Sequence, residues 1–308
     1  MKSVIINNYN YSDYVGESIQ SVLNQTSWVD RIIVIDDGSA DNSLEAINGF
    51  SDPRIQVISK KNGGQLSCFN VIPELVGDSE IVFFLDADDR FLPEHVRKCL
   101  EIYDADSDVD FVFTRHHLFG NESKPGPILC EPFSGDLGYS VYAARENLVW
   151  YGGPTSTISM RGALLKRFLP CPLESDWKVR ADDVLVFGSS LAGGRKYFLD
   201  EITIEYRVHK NNNFYKQKEN LAKSFTYIIR RERMLAWLET YLGMPYRREA
   251  TQIAVEYKLK QLKSIKALLI YSRAIITCRS LFFEKTRGLC SLLKSTVFNK
   301  LFDPLKHL

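Results

Sequence analysis

The sequence lacks several patterns by which common protein classes can be read. None of its six cysteines (Cys68, Cys99, Cys130, Cys171, Cys278 and Cys290) sits at C-x-x-C spacing, which argues against a zinc ribbon. A chain of 308 residues buries a large core without covalent staples, so no disulfide frame is needed and a reducing compartment is expected. The longest apolar stretch, Ala267 to Cys278, contains Arg273 and is too short for a bilayer span. Met1–Ile6 runs straight into a strand-like segment, so no signal peptide is expected. No G-x-G-x-x-G follows the first strand, no G-x-x-x-x-G-K-[ST] occurs, and no serine has a G-x-S-x-G context. These absences weaken a dinucleotide-binding reading and argue against a P-loop or a nucleophile elbow. Internal repeats and low-complexity segments are also missing.

The composition, 45% apolar and 25% charged, is that of a globular chain. The net charge of +1 hides an asymmetry: residues 210–308 carry 20 Lys+Arg against 7 Asp+Glu, and residues 1–209 carry 19 against 31. An acidic body suits a metal, and a basic tail suits an anionic surface.

Four short apolar segments, 3–7, 31–35, 55–59 and 81–85, read as buried parallel strands. Helical patterns lie between them at 11–25 and 43–50, the second after a candidate N-cap, Asp41. A helix over 95–103 and a strand over 110–114 follow. The alternation predicts an α/β fold with right-handed crossovers. Residues 115–180 read as long loops, 181–192 as a helix and 196–207 as two short strands. Beyond Tyr215 only helical stripes remain: Leu221, Phe225, Ile228, Leu235, Leu238 and Leu242, then Ile253, Tyr257, Leu262, Ile265 and Leu269, with a break at Gly243 and Pro245. The expected organisation is a domain over 1–213 and a basic helical extension over 214–308.

Ligands of parallel α/β sheets bind outside the carboxyl ends of the strands. The four strands end in Asn7-Asn8-Tyr9-Asn10, Asp36-Asp37-Gly38-Ser39, Lys61-Asn62-Gly63-Gly64-Gln65 and Asp86-Ala87-Asp88-Asp89. Three carboxylates closing an apolar strand repel one another, and a hard divalent cation, Mg²⁺ or Mn²⁺, relieves that repulsion.

With these four strand ends, Ala181-Asp182-Asp183 and Tyr206-Arg207-Val208-His209, the chain resembles the family 2 glycosyltransferases of GT-A fold over roughly residues 3–212. The resemblance implies a Rossmann-like mixed, mainly parallel sheet. It also implies a nucleoside-diphosphate-sugar donor, a Mn²⁺ or Mg²⁺ cofactor and an inverting reaction. Tyr9 would stack on the nucleobase, and Asp37 would accept from the N3–H of uracil, which favours a UDP-sugar. Asn62 and Gly63 would lie close to the nucleoside. Asp86 would bind ribose or sugar hydroxyls and Asp88 the metal. His209 would complete the metal site or contact the diphosphate, and Arg207 would offset diphosphate charge. Asn7 stands in the donor site where family members commonly carry Pro. The catalytic base is Asp182 when Leu185 is aligned with the family's downstream Leu, and Asp183 when the register moves by one. Its reference pKa of about 3.9 implies a base already ionised at neutral pH. Trp150–Ser156 would line the acceptor side.

Two other functions fit the pattern less well. A nucleotidyltransferase needs a basic Gly-rich loop after the first strand, and a non-catalytic nucleotide-sugar-binding scaffold has no need of intact carboxylates. The expected acceptor is a saccharide or a lipid-linked saccharide, as in surface polysaccharide or glycolipid synthesis, and no nucleic-acid partner is expected. Over 273–308, apolar Leu281, Phe282, Phe283, Leu289, Leu292, Leu293, Val297, Phe298, Leu301 and Phe302 alternate with Arg273, Arg279, Lys285, Arg287, Lys294, Lys300 and Lys306, opposed only by Glu284 and Asp303. Such a stretch suits an interfacial helix on an anionic membrane, giving a cytoplasmic enzyme on the inner face. The alternative is packing of these helices on one another or in a homo-oligomer.

Overall fold

The structure, a computed structural model, describes residues 1–127, 134–210, 221–244, 250–261, 263–278, 280 and 282–302, the final six by backbone alone. Cys130, Asn211, Asn212, the expected boundary at 213/214, Tyr215, Pro245, Leu262, Arg279, Leu281, Asp303 and Lys306 lie outside the described residues. The side chains of Val297, Phe298, Lys300, Leu301 and Phe302 are likewise outside the description.

The strands are β1 (Lys2–Asn8), β2 (Arg31–Asp36), β3 (Ile55–Ser59), β4 (Ile81–Asp86), β5 (Arg90–Phe91), β6 (Phe111–Gly120), β7 (Lys124–Pro125), β8 (Gly135–Gly138), β9 (Ile158–Arg161) and β10 (Lys196–Val208). The helices are α1 (Val15–Leu23), α2 (Ser43–Asn48), α3 (Gln65–Asn70), α4 (Ile72–Leu75), α5 (His95–Ala105), α6 (Val141–Asn147), α7 (Gly162–Lys166), α8 (Asp182–Leu191), α9 (Leu221–Tyr241), α10 (Ala250–Leu259), α11 (Ile265–Thr277) and α12 (Phe282–Phe302). One sheet runs in the order β3-β2-β1-β4-β9-β6-β10-β5, with β7 on β6 and β8 on β10. The pairs β1–β2, β1–β4, β2–β3 and β6–β10 are parallel, and β9 runs antiparallel between β4 and β6. The fold is therefore mixed α/β with a largely parallel central sheet, followed by α9–α12.

Successive side chains of a strand face opposite sides of its sheet. Val4, Ile6, Ile32, Val34, Phe83 and Leu85 accordingly pack against α1, α2 and α5, whereas Ile5, Ile33, Ile35, Val82 and Phe84 face α3 and α8. The second core continues without a break into Met234, Leu235 and Leu238 of α9, Ile253 and Tyr257 of α10, Tyr271 and Ile275 of α11 and Leu292 of α12.

Two expectations are corrected here. Residues 196–207 form one strand, β10, bent by register shifts at Leu199/Ile202 and Ile202/Ile204 rather than split in two. The segment 115–180 is not all loop. It carries the end of β6 and the central strand β9, whose Ser159 is fully buried and bonded to the Tyr103 hydroxyl at 3.1 Å. The helical stripes form as read and are half internal. Leu235, Leu238, Ile253 and Tyr257 are buried, but Leu221, Phe225, Ile228, Ile265 and Leu269 are exposed. Asp41 precedes the N-cap position, Asn42, yet accepts from the Ser43 N–H at 3.0 Å and so still satisfies a donor of the first turn.

Candidate active site

Parallel pairing sets Asn7 beside Asp86 and Asn8 beside Asp36, bringing three strand ends to one edge. The first two ends are tied together. Asn8 Nδ2 donates to Asp36 Oδ1 at 2.8 Å, Ser39 Oγ donates to the same oxygen at 2.5 Å, and the Ala40 N–H reaches Asn10 Oδ1 at 2.8 Å. Asn10 adopts φ 55°, a left-handed conformation that Asn tolerates. Between these anchors Tyr9 stands out from the surface, 46% exposed.

Asp37 is buried and collects the third strand end. Its carboxylate accepts from the Gly63 N–H at 3.0 Å, the Gly64 N–H at 2.7 Å and Lys60 Nζ at 2.6 Å. Gly64 has φ +88°, and a Cβ there would lie 2.4 Å from Lys178 Cα. Glycine is thus required at this position by the close approach of another segment of the chain.

At the end of β4, Asp86 Oδ1 accepts from Asn7 Nδ2 at 2.8 Å and Gln65 Nε2 at 3.0 Å. Burial, then the neighbouring Asp88, push the Asp86 carboxyl up to about 7. Asp89 is buried, bonded to Ser156 Oγ at 2.6 Å and the Arg207 N–H at 2.8 Å; burial, then Asp88 and Asp86, raise it well above the carboxylate range against these two hydrogen bonds. Asp88 Oδ2 lies 3.0 Å from His209 Nε2, whose ring packs on Tyr11 and Tyr14. Among the described residues no group of three or more His, Cys, Asp or Glu side chains converges as a closed cation site. The donor set present, a carboxylate and an imidazole beside two acids raised by burial and then by neighbouring acids, fits a cation that draws its remaining ligands from diphosphate and water.

A second carboxylate pair opens α8. Asp182 is half-buried and lines the cleft; burial, then Asp183, raise its carboxyl to about 7 while Arg180 opposes the shift. The residue is therefore not the ordinary acid that its reference value implies. Asp183 is fully buried, accepts from the Tyr227 hydroxyl at 3.1 Å and pairs with Arg180 at 3.4 Å. Gln65 joins the two ends of the site. Its Nε2 serves Asp86 and, at 3.1 Å, Thr155 Oγ1, while its Oε1 accepts from the Ala181 N–H at 2.9 Å, just before α8.

These groups surround a cleft of about 690 Å³. Asn7, Tyr9, Asp37, Asn62, Asp86, Asp88, Asp182 and Asp183 line it. Gly63, Arg207 and His209 do not. Gly63 sits behind Asp37, and Arg207 is turned to the Asp88 carbonyl at 2.7 Å and to Glu17 at 2.7 Å. Trp150 lines the cleft with Pro154 and Thr155. Sequence reasoning missed Gln65 as a link, and missed Lys60, Arg180 and Tyr227. The Gln signal was available at the end of the Gly-Gly loop; Tyr227 lies in a helix with no motif to mark it.

Residues 3–169 match the description "Glycosyl transferase family 2". The chain belongs to that family, and its fold is GT-A-like. It is 35% identical to an uncharacterised glycosyltransferase of Nostoc sp. over 224 residues, 68% of this chain and 66% of that relative's length. Among solved structures it is similar to S. aureus TarS 1–349 in complex with UDP-GlcNAc, with TM-score 0.54 and 16% identity over 99% of this chain and 76% of the other. It is also similar to the mannosyltransferase PcManGT of Pyrobaculum calidifontis in complex with GDP-Man and Mn²⁺, with TM-score 0.51 and 13% identity over 99% and 88%. At such identities these two show the fold.

Proposed function

We propose that the chain is an inverting glycosyltransferase that moves a sugar from a nucleoside-diphosphate sugar, UDP-linked, to an acceptor hydroxyl. The observation that carries this reading is that Gln65 ties the Asp86 carboxylate at a strand end to the Ala181 N–H, one residue before Asp182 at a helix start, across one cleft. Tyr9 offers an open ring for the base, and Asp37 offers its carboxylate to the uracil N3–H. Asp86 binds sugar or ribose hydroxyls. Asp88, with His209 behind it, would hold Mn²⁺ or Mg²⁺; such a cation, when bound, offsets the charge of the departing diphosphate. Asp182 takes the proton of the acceptor hydroxyl as that oxygen attacks the anomeric carbon from the face opposite the diphosphate. Its raised pKa matches a general base working near neutrality. Asp183, held by Arg180 and Tyr227, positions it.

A thermal-shift comparison of UDP-, GDP- and dTDP-sugars with Mn²⁺ tests the donor. A ligand at 100 times its dissociation constant adds about 2.7 kcal/mol, so the UDP-sugars are expected to give the largest shift. Retention of anomeric configuration in the product would refute the single displacement.

We further propose that the enzyme docks on the inner face of a cytoplasmic membrane through α11 and α12, which suits a lipid-linked saccharide acceptor. Ile265, Leu269, Ile276, Phe282, Phe283 and Leu293 are exposed there beside Lys266, Arg273, Arg287 and Lys294. Among the described residues no helix is long and apolar enough to cross a membrane.

A further inference from the structure

Three guanidinium groups gather around one phenol ring at the α8 end of the cleft. The central carbons of Arg180, Arg230 and Arg231 lie 4.5, 5.2 and 5.4 Å from the ring centroid of Tyr227. Arg180 precedes α8, where it holds φ 62°, and the other two belong to α9. The Tyr227 hydroxyl and Arg180 both contact Asp183 Oδ2. Arg230 is fixed from behind, since one of its amino groups donates to the Asp176 carbonyl at 3.1 Å and its plane stacks on Trp177. Among the described residues, neither Arg230 nor Arg231 has a hydrogen-bond partner for its buried Nε. Among the described residues no carboxylate lies within ion-pair distance of either.

Asp183 and Asp182 act on Arg180, and Asp183 and Asp176 on Arg230, but among the described residues no carboxylate pairs with Arg231, and an orphaned buried N–H costs the free energy of a lost hydrogen bond. Tyr227, Arg180 and Arg231 all line the cleft beside Asp182. At the strand ends the charge has the opposite sign, with Asp37, Asp86 and Asp88 on the wall. The cleft is thus polarised: acidic where the donor and its cation belong, guanidinium-rich beside the base. Guanidinium forks match phosphate and carboxylate geometry.

We propose that the acceptor carries an anionic group, a phosphate or a carboxylate, close to the hydroxyl that attacks, and that Arg231 and Arg180 receive it while Arg230 adds its charge from behind. The inference rests on reading Asp182 as the base and names the chemical class of the acceptor. The test uses the full chain with UDP and Mn²⁺ present. Ligand-observed NMR compares glycerol 3-phosphate with glycerol, and methyl β-D-glucuronide with methyl β-D-glucoside. The anionic member of at least one pair is expected to bind on the order of tenfold tighter, the value of one charge-assisted hydrogen bond, and the preference should shrink as salt is raised. The pair that shows it distinguishes phosphate from carboxylate. Arg231→Gln is expected to abolish the preference while UDP affinity, measured without acceptor, is unchanged; Arg231→Lys should keep part of it. Equal binding of charged and neutral members overturns the proposal. So does an Arg231→Gln chain that loses UDP affinity with the acceptor preference intact. Wild-type chain that fails to bind UDP with Mn²⁺ refutes the donor reading instead, because the charge preference is scored by itself.

Discussion

Asp182 and Asp183 differ by one position in sequence and by their whole environment in space. Both line the cleft, but Asp182 is half-buried whereas Asp183 is fully buried and held by Arg180 and Tyr227. Asp182→Asn is therefore expected to keep UDP binding and cut turnover by roughly 10²–10⁴-fold, the usual share of a general base. Asp183→Asn should lower the melting temperature more and turnover less, because it leaves Arg180 without its buried partner. Turnover and melting curves of both variants check this; the opposite pattern would make Asp183 the base. With the Asp182 carboxyl raised to about 7, activity should climb as pH rises through neutrality, and the climb should disappear in Asp182→Asn. At the other end of the cleft, Asp88→Ala removes the carboxylate that faces His209. Calorimetry of UDP binding with and without Mn²⁺ should then show no dependence on the cation; an undiminished Mn²⁺ effect would sink the Asp88 assignment.

At the level of elements, the Gly63–Gly64 loop shows how packing decides a role that a motif only suggests. Gly64→Ala meets both a left-handed φ and a backbone atom 2.4 Å away, so it should destabilise the chain by more than about 1 kcal/mol and loosen the loop that Asp37 holds. Urea unfolding together with UDP titration reads both effects. The C-terminal helices call for a finer experiment than removal. Ala274, Ile275 and Leu292 are buried in the core shared with α6 and α10, so deleting residues 273–308 would open that core. Replacing Phe282 and Phe283, which are 86% and 75% exposed, by Ser should leave the unfolding free energy within about 0.5 kcal/mol of wild type and reduce co-flotation with anionic liposomes. Wild-type chain that never floats at low salt would point to packing between copies. The first four strands were legible because an apolar run bounded by turns reads alike in sequence and in space. Strand β9 was not: its four residues include a serine whose burial is compensated by the Tyr103 hydroxyl and the Val112 carbonyl, partners far away in the chain.

For the molecule as a whole, the crowded carboxylates set a pH dependence of stability. Asp86 and Asp182 titrate near 7 in the folded chain but near 3.8 when unfolded, so between those values the folded state binds protons that the unfolded state releases. Stability of the ligand-free chain should therefore rise as pH falls from about 8 toward 6.5. Below about 6.5 His95 works against the two acids: burial depresses it to about 3, so the unfolded chain takes up its proton first and the gain per pH unit becomes smaller. Melting temperatures across this range check both limbs, and Asp182→Asn should flatten the first. Activity and stability thus move oppositely near neutrality, as expected when charges are gathered for chemistry rather than for folding.

The sequence by itself determined the α/β class, the family and the strand ends that carry Tyr9, Asp37, Asp86 and Asp88. Strand ends are local features, and parallel pairing of apolar strands brings their ends to one edge by necessity. Only the tertiary structure decided which of two adjacent aspartates is half-buried and which fully buried in the cleft wall, that Gln65 ties the start of α8 to the strand-end acid Asp86, and that Arg207 lies outside the cleft wall. It alone brought a tyrosine and two arginines of α9 to the base. Those facts depend on contacts between segments separated by tens to more than a hundred positions. Such contacts are set by how a continuous core closes over both faces of the sheet, and no spacing along the chain records that closure.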